Sequence, residues 1–378
     1  MRFLYVAPRY HTNQVPIMKG LIENGHEVLF LSQYVGGIED YEYVTPKVIG
    51  YSWLSVLLLS AVGMFKGWTS HQLSHKKMRM GIPPIFKIYR SIKRFYPDIV
   101  ILRERSLYTI FTYQICRFLK VKSILYDQNP LWNDRIKNDL PHRIIRKLTP
   151  AKRMTPVLGV PGAGKVKEPE ASFVPFVMEP MLSPEQKQFS EDGRLRIFCI
   201  GKYENMKNHF MLLDAMFDVM ERSNIKIQLV IAGECTTDRH LDYFTRLEKI
   251  RNEHEMCNRI VLLQNLTRTQ IFDEFVKSDF FVLPSTGDIA SIAQLEAMAF
   301  SLPVICSDSN GADCYIKEGI NGYIFKDNNV ESLKEAINKL ISDSEQLKNM
   351  GAMSYKIIEE MCSFETYYDS IRQMIKHS

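Results

Sequence analysis

Leu283-Pro-Ser-Thr-Gly-Asp-Ile-Ala-Ser-Ile-Ala-Gln-Leu-Glu-Ala-Met-Ala299, followed by Leu302-Pro-Val-Ile-Cys-Ser-Asp308, carries a strand, a loop, a helix and a second strand in succession. The first apolar run ends at Pro284, a glycine-bearing loop follows, and a run of good helix formers starts near Ser291. That order is one unit of a parallel sheet with helices on its faces. Ligands of such sheets bind outside the carboxyl ends of the strands, and the free N–H groups at a helix start suit an anion. Ser291 to Ala293 is therefore the expected anion site. Asp288 in the loop and Glu296 inside the helix add two carboxylates at the same end.

The same alternation extends in both directions. Phe3–Ala7, Val28–Leu31, Ile99–Leu102 and Ser123–Tyr126 read as strands in the first half, and Arg196–Ile200, Gln228–Ala232, Ile260–Leu263, Phe280–Leu283 and Val304–Ser307 in the second. Helical patterns fall near 209–222, 238–255, 268–277, 291–300 and 330–341. Two doubly wound α/β units are expected. The first spans 1–180 and the second 195–362, joined by a proline-rich, polar linker at 181–194. Residues 363–378 form a terminal helix.

Composition is that of a globular protein, with 46% hydrophobic and 24% charged residues and no repeat. The seven cysteines are scattered without a C-x-x-C pair, which suits a reducing cytoplasm. The net charge of +5 hides an asymmetry. Residues 1–180 hold 26 Lys and Arg against 13 Asp and Glu, whereas residues 181–378 hold 22 against 30. A basic first half suits anionic headgroups, a phosphorylated acceptor or nucleic acid, and equally a plain solvated surface. No interleaved basic and aromatic pattern supports nucleic acid.

Residues 48–65 carry no charge and centre on Trp53-Leu-Ser-Val-Leu-Leu-Leu-Ser60. Gly50, Ser52, Ser55, Ser60 and Gly63 dilute the stretch below what a membrane span requires. Two readings stand: an interfacial contact helped by the basic residues that follow, or a buried helix pair of the first unit.

The Asp288…Glu296 stretch resembles the second-domain signature of the retaining GT-B glycosyltransferases, glycosyltransferase family 4 (group 1). In that pattern two glutamates are separated by seven intervening residues, the second inside Leu-Glu-Ala-Met-Ala. Glu296 matches the second, and Asp288 falls on the first as a carboxylate one methylene shorter. Ile200-Gly-Lys-Tyr-Glu-Asn-Met-Lys-Asn208 resembles the family's strand-end loop, with Gly201, Lys202 and Lys207 at its matching positions. The resemblance covers 195–345 closely and 1–180 more loosely. It implies a GT-B fold, two Rossmann-like domains facing a cleft. By the same resemblance Lys202, Lys207, Ser291 and Ile292 meet a diphosphate, Glu296 the ribose, Asp288 the transferred sugar, and Asn265 and Leu266 the base.

In the first half Arg9-Tyr-His-Thr-Asn-Gln14 follows strand one where the family carries a glycine pair. His11, Asn13 and Arg103 are the expected acceptor contacts, with Arg105 a further candidate. Asp127, after the strand 123–126, is the expected catalytic residue of this half. Plainer roles also stand: His11 and Asn13 as helix caps, Asp127 as an Asx turn. No Asp-x-Asp occurs, so no catalytic metal is expected, and the resemblance implies no cofactor, the nucleotide-sugar being the donor substrate. The activity implied is transfer of a hexose or N-acetylhexosamine, UDP favoured over GDP, to a membrane-associated saccharide of a bacterial surface polysaccharide, O-antigen or capsule. Such an enzyme is cytoplasmic, with a peripheral site at the inner face of the cell membrane. A catalytically silent nucleotide-sugar-binding partner subunit is the alternative.

Overall fold

The computed structural model describes residues 1–36, 41–103, 106–133, 140–159, 165–168, 170–190 and 192–376. The chain divides into two compact units. One comprises Met1–Pro156, Val160–Val177 and Phe364–Ser378, the other Val157–Gly159 and Met178–Ser363.

The first unit holds the strands β1 (Arg2–Ala7), β2 (Glu27–Ser32), β3 (Lys47–Val48), β4 (Ile99–Arg103), β5 (Lys122–Tyr126), β6 (Trp132–Asn133), β7 (Arg153–Thr155), β8 (Val166–Lys167) and β9 (Ala171–Phe173). Its helices are α1 (Val15–Glu23), α2 (Trp53–Phe65), α3 (Ser70–Met80), α4 (Ile85–Phe95), α5 (Leu107–Phe118) and α6 (Leu140–Leu148). Seven strands form a parallel sheet in the order β3-β2-β1-β4-β5-β7-β9, and β6 pairs antiparallel with β8 outside it. A central strand of such a sheet is covered on both faces, so it is apolar throughout. In β1, Phe3, Tyr5 and Ala7 join one core with Met18 and Leu21, while Leu4 and Val6 join the opposite core with Ile88, Ile92 and Cys116.

Of the two readings left open for residues 48–65, the buried helix pair is not what forms. In α2 only Ser55 and Gly63 are buried, and the large apolar side chains Trp53, Leu57, Leu58 and Phe65 are exposed. No helix among the described residues is long and apolar enough to cross a membrane.

The second unit runs β10 (Leu195–Ile200), α7 (His209–Arg222), β11 (Ile227–Gly233), α8 (Asp238–Asn252), β12 (Ile260–Gln264), α9 (Arg268–Lys277), β13 (Phe280–Leu283), α10 (Ala293–Ala299), β14 (Val304–Ser307), β15 (Gly322–Phe325), α11 (Val330–Ile341) and α12 (Ser344–Met361). Its six strands are all parallel, in the order β12-β11-β10-β13-β14-β15. β13 and β14 are buried along their whole length. A last helix, α13 (Phe364–Lys376), sends Tyr367, Ile371 and Met374 into the first unit's core.

The stretch 181–194 is not a free linker but part of the second unit. Met181 and Leu182 donate backbone N–H groups to the Ala299 carbonyl at 2.8 and 3.1 Å. The buried Lys187 ammonium donates to the carbonyls of Val276 and Ser278, which end α9, and the Ser190 N–H to Asp279 Oδ1 at 2.6 Å. The polar groups of the stretch saturate helix-end carbonyls and a buried carboxylate.

Candidate functional site

In the second sheet the chain lays down β10, β11 and β12 toward one edge, then returns to place β13 on the other side of β10. Between β10 and β13 the strand order reverses, the point at which sheets of this kind hold a ligand in a crevice outside the carboxyl ends of the strands. Two loops flank it: Gly201–Asn208 after β10, and Pro284–Ile292 after β13.

The first loop is shaped by close approach. A Cβ on Gly201 would lie 2.9 Å from Cγ and Cδ of Lys207, so the lysine stem lies over a position that only glycine leaves open. Asn205–Lys207 form one 3-10 turn, and Asn208 takes φ +53° before α7 begins. The Lys207 ammonium reaches across to the second loop and meets Asp288 Oδ2 at 2.6 Å, with side chains 15% and 13% exposed. Lys202 is half exposed and stands 3.4 Å from Glu234 Oε2 at the end of β11.

The Asp288 loop is laced to its neighbours. Thr286 donates its N–H to the Met206 carbonyl at 2.8 Å and its hydroxyl to Asp327 Oδ1 at 2.9 Å. Gly311 donates its N–H to the Asp288 carbonyl at 2.7 Å, and a Cβ on Gly311 would lie 1.9 Å from the Ile289 carbonyl oxygen. Asp288 is thus held from the backbone while its carboxylate faces Lys207.

The helix expected from Ser291 starts two residues later, at Ala293, with Ile292 as an N-cap whose side chain makes no capping bond. Ile has no oxygen to offer the first N–H groups. The helix is fixed from the other side: Gln294 donates to the Ala312 carbonyl and accepts from Asn310 Nδ2, all three buried. Ser291 is buried and Glu296 half-buried. Burial pushes the Glu296 carboxyl up, and Arg268 pulls it partly back.

Asn265 and Leu266 follow β12, two strands from the crevice, roughly 10 Å in sheet spacing. Asn265 has φ +51° and its amide closes a loop on Cys235. It accepts the Cys235 N–H at 2.7 Å and donates to the Cys235 carbonyl at 3.2 Å. Of the expected residues, then, Gly201, Lys207 and Asp288 are in one assembly, Lys202 belongs to a neighbouring pair with Glu234, and Asn265 shapes a turn. His209, which sequence reasoning passed over, is wholly buried, and neither ring nitrogen meets a hydrogen-bond partner among the described residues. Burial, with Lys207 adding to it, drives its pKa down to about 3.

The first sheet has its own reversal, between β1 and β4. His11 caps the 3-10 turn Thr12–Gln14, its Nδ1 accepting the Asn13 N–H, which is the plainer of the two roles left open. Asn13 is buried and lines a mostly apolar pocket with Tyr5, Arg103, Tyr126 and Met154. Its Oδ1 meets no donor among the described residues. The Arg103 guanidinium stands 5.6 Å over the Tyr126 ring. Asp127 forms the Asx turn, accepting the Asn129 N–H at 3.0 Å, and also pairs at 2.6 Å with Arg153, a side chain 1% exposed. Arg153 pairs in turn with Glu168 at 2.7 Å. These contacts make Asp127 an anchor of the loop. Arg105 lies outside the described residues.

The family described as Glycosyl transferases group 1 matches residues 183–357, which contain the whole crevice of the second sheet. The second unit is a group 1 glycosyl transferase domain. This domain is 25% identical over 178 residues to the Escherichia coli UDP-Gal:alpha-D-GlcNAc-diphosphoundecaprenol alpha-1,3-galactosyltransferase, covering 45% of this chain and 44% of that one. The chain spans about half the length of the curated relatives it matches. Among solved structures, the glycosyltransferase of Rickettsia africae ESF-5 superposes with TM-score 0.75 at 16% identity, covering 100% of this chain and 98% of that one. HepE of Anabaena, solved with UDP, superposes with TM-score 0.72 at 12% identity, covering 100% of both. The group 1 domain and the first unit together make the GT-B fold.

Proposed function

We propose that the chain is a retaining, metal-independent hexosyltransferase of glycosyltransferase family 4. It takes a hexose or N-acetylhexosamine from a nucleotide-diphosphate sugar, UDP in preference to GDP, to a membrane-associated saccharide of a bacterial surface polysaccharide such as O-antigen or capsule. The observation that carries this reading is the Lys207–Asp288 pair, a cation and a carboxylate side by side at the reversal point of a group 1 domain. The E. coli relative, whose name carries a UDP-galactose donor and a lipid-diphosphate acceptor, and HepE, solved with UDP, support the choice of donor and acceptor class.

In this proposal the diphosphate takes Lys207 away from Asp288. Lys207, Lys202 and the N–H groups at Ser291–Ala293 then face the charge that grows on the leaving oxygen, which no metal ion is needed to meet. Asp288, so released, accepts from hydroxyls of the transferred sugar, and Glu296 accepts from the ribose. Asn265 and Leu266 border the base. The acceptor oxygen bonds to the anomeric carbon on the face that the phosphate oxygen leaves, and that oxygen takes the acceptor's proton, so configuration is retained. The first unit receives the acceptor, with the open Oδ1 of Asn13, His11 and Arg103 as its polar contacts. Asp127 serves by holding Arg153.

The test is calorimetric titration with UDP and with GDP, without added metal, on the native chain and on Lys207→Ala. Micromolar binding of UDP that collapses in the variant is expected, and binding of neither nucleotide would overturn the assignment. One observation favours a second reading, a silent partner subunit: the short Asp288 carboxylate is already engaged by Lys207. It predicts UDP-sugar binding with no release of UDP, even in the presence of lipid-linked saccharide.

A further inference from the structure

Helix α2 is packed inside out. Its two buried positions are small: Ser55, whose Oγ accepts the Ile82 N–H at 3.0 Å, and Gly63, where a Cβ would sit 3.2 Å from the Trp68 ring. The large apolar side chains point the other way. Trp53, Leu54, Leu57, Leu58, Met64 and Phe65 are all exposed, Trp53 to 76% and Phe65 to 94%. At about 100° per residue these six occupy one arc of roughly 140° along the whole helix, which Val62, also exposed, widens to roughly 180°. Single exposed leucines are ordinary, but a contiguous apolar face marks a contact surface.

The charge around this face names the partner. From residue 43 to residue 97 the chain holds nine Lys and Arg and not one Asp or Glu. Lys66 follows Phe65 directly and is exposed. The exposed Lys76 stands with its Nζ 5.6 Å over the ring of Trp68, the same ring that closes against α2 at Gly63. A second copy of the chain on this face would set like charges against like. A surface that is apolar within and anionic at its rim complements both features.

The geometry points to α2 lying in the plane of an anionic bilayer, its apolar arc among the acyl chains and Lys66 and Lys76 at the headgroups. At 13 residues the helix is about 20 Å long, enough to lie along the interface and too short to span it. This inference does not rest on the nucleotide-sugar site, and its test involves no nucleotide.

The test is flotation of the full chain with vesicles of phosphatidylcholine alone and of phosphatidylcholine mixed with phosphatidylglycerol. Binding to the mixed vesicles is expected to exceed binding to the neutral ones by about tenfold or more and to weaken with salt. The double variant Leu57→Glu/Phe65→Glu, at exposed positions, is expected to lose about tenfold or more in binding while melting and binding UDP as the native chain does. Lys66→Glu/Lys76→Glu is expected to lose only the preference for phosphatidylglycerol. Absence of binding, binding indifferent to both pairs of substitutions, or a dimer by light scattering that Leu57→Glu/Phe65→Glu splits into monomers would each overturn it, the last by giving the face to a second copy.

Discussion

Lys207 Nζ stands 2.6 Å from Asp288 Oδ2, so the two loops at the reversal point of the second sheet are joined by their own charges. A ligand that competes for one of these groups must release the other. The two substitutions at this pair are therefore expected to act in opposite directions on nucleotide binding. Lys207→Ala removes a charge-assisted contact to phosphate and is expected to weaken UDP binding by about 2 kcal/mol, roughly thirtyfold. Asp288→Asn frees Lys207 and is expected to leave UDP affinity equal or several-fold higher, while turnover falls by about a hundredfold. Calorimetry and initial rates on the two variants check both, and equal losses of UDP affinity would break the proposed link.

Glu296 carries a carboxyl pushed up by burial. If its charged form accepts from the ribose, nucleotide affinity falls as pH drops through this raised pKa and recovers above it. Glu296→Gln is expected to cost about tenfold or more in UDP affinity and to abolish that pH dependence. Titrations across the carboxylate-to-neutral range measure both.

For Asp127 the expected effect is on stability. Arg153 is 1% exposed and is held by Asp127 and Glu168. Asp127→Ala leaves a buried guanidinium short of a partner and is expected to lower unfolding free energy by about 3 kcal/mol. Urea unfolding measures this. Turnover well below the melting transition is expected to stay within a few-fold of native, and a loss of a hundredfold there would give Asp127 a place in the chemistry.

His209 sets an acid-side limit. Its unfolded imidazole takes up a proton near pH 6.5 and the folded one only near 3. Between those values the unfolded chain binds more protons, so stability declines as pH falls, by up to about 1.4 kcal/mol per pH unit from this group alone. Above the upper value the contribution is complete. His209→Leu is expected to flatten the decline by one proton's slope, read from urea midpoints at a series of pH values.

Much of the fold was legible because parallel strands buried on both faces announce themselves as apolar runs, as in Phe280–Leu283 and Val304–Ser307. The site loops were legible for a related reason, since they begin where such runs stop. Strands of two or three residues, such as Lys47–Val48 and Ala171–Phe173, carry no period and went unseen. β15, four residues long and paired with β14, likewise carries too short a pattern to read. The direction of α2 was not readable because the helix is apolar on most sides, and only the small residues Ser55 and Gly63 mark the inward face. The pairings Lys207–Asp288 and Asp127–Arg153 join residues 81 and 26 positions apart, and residue types alone do not foretell such partners.

The hydroxyl of Tyr5 meets that of Tyr367 at 2.9 Å inside the first unit's core, across 362 positions of chain. On the ribosome the first strand therefore emerges long before the helix that covers it. Every residue of the second unit must be translated in between, which at about 5–20 residues per second is a delay of roughly ten to forty seconds. The second unit can close while the first is still missing Tyr367, Ile371 and Met374 from its core. The half of the molecule made first is thus the half completed last, and during that interval its uncovered strands are open to chaperones and proteases.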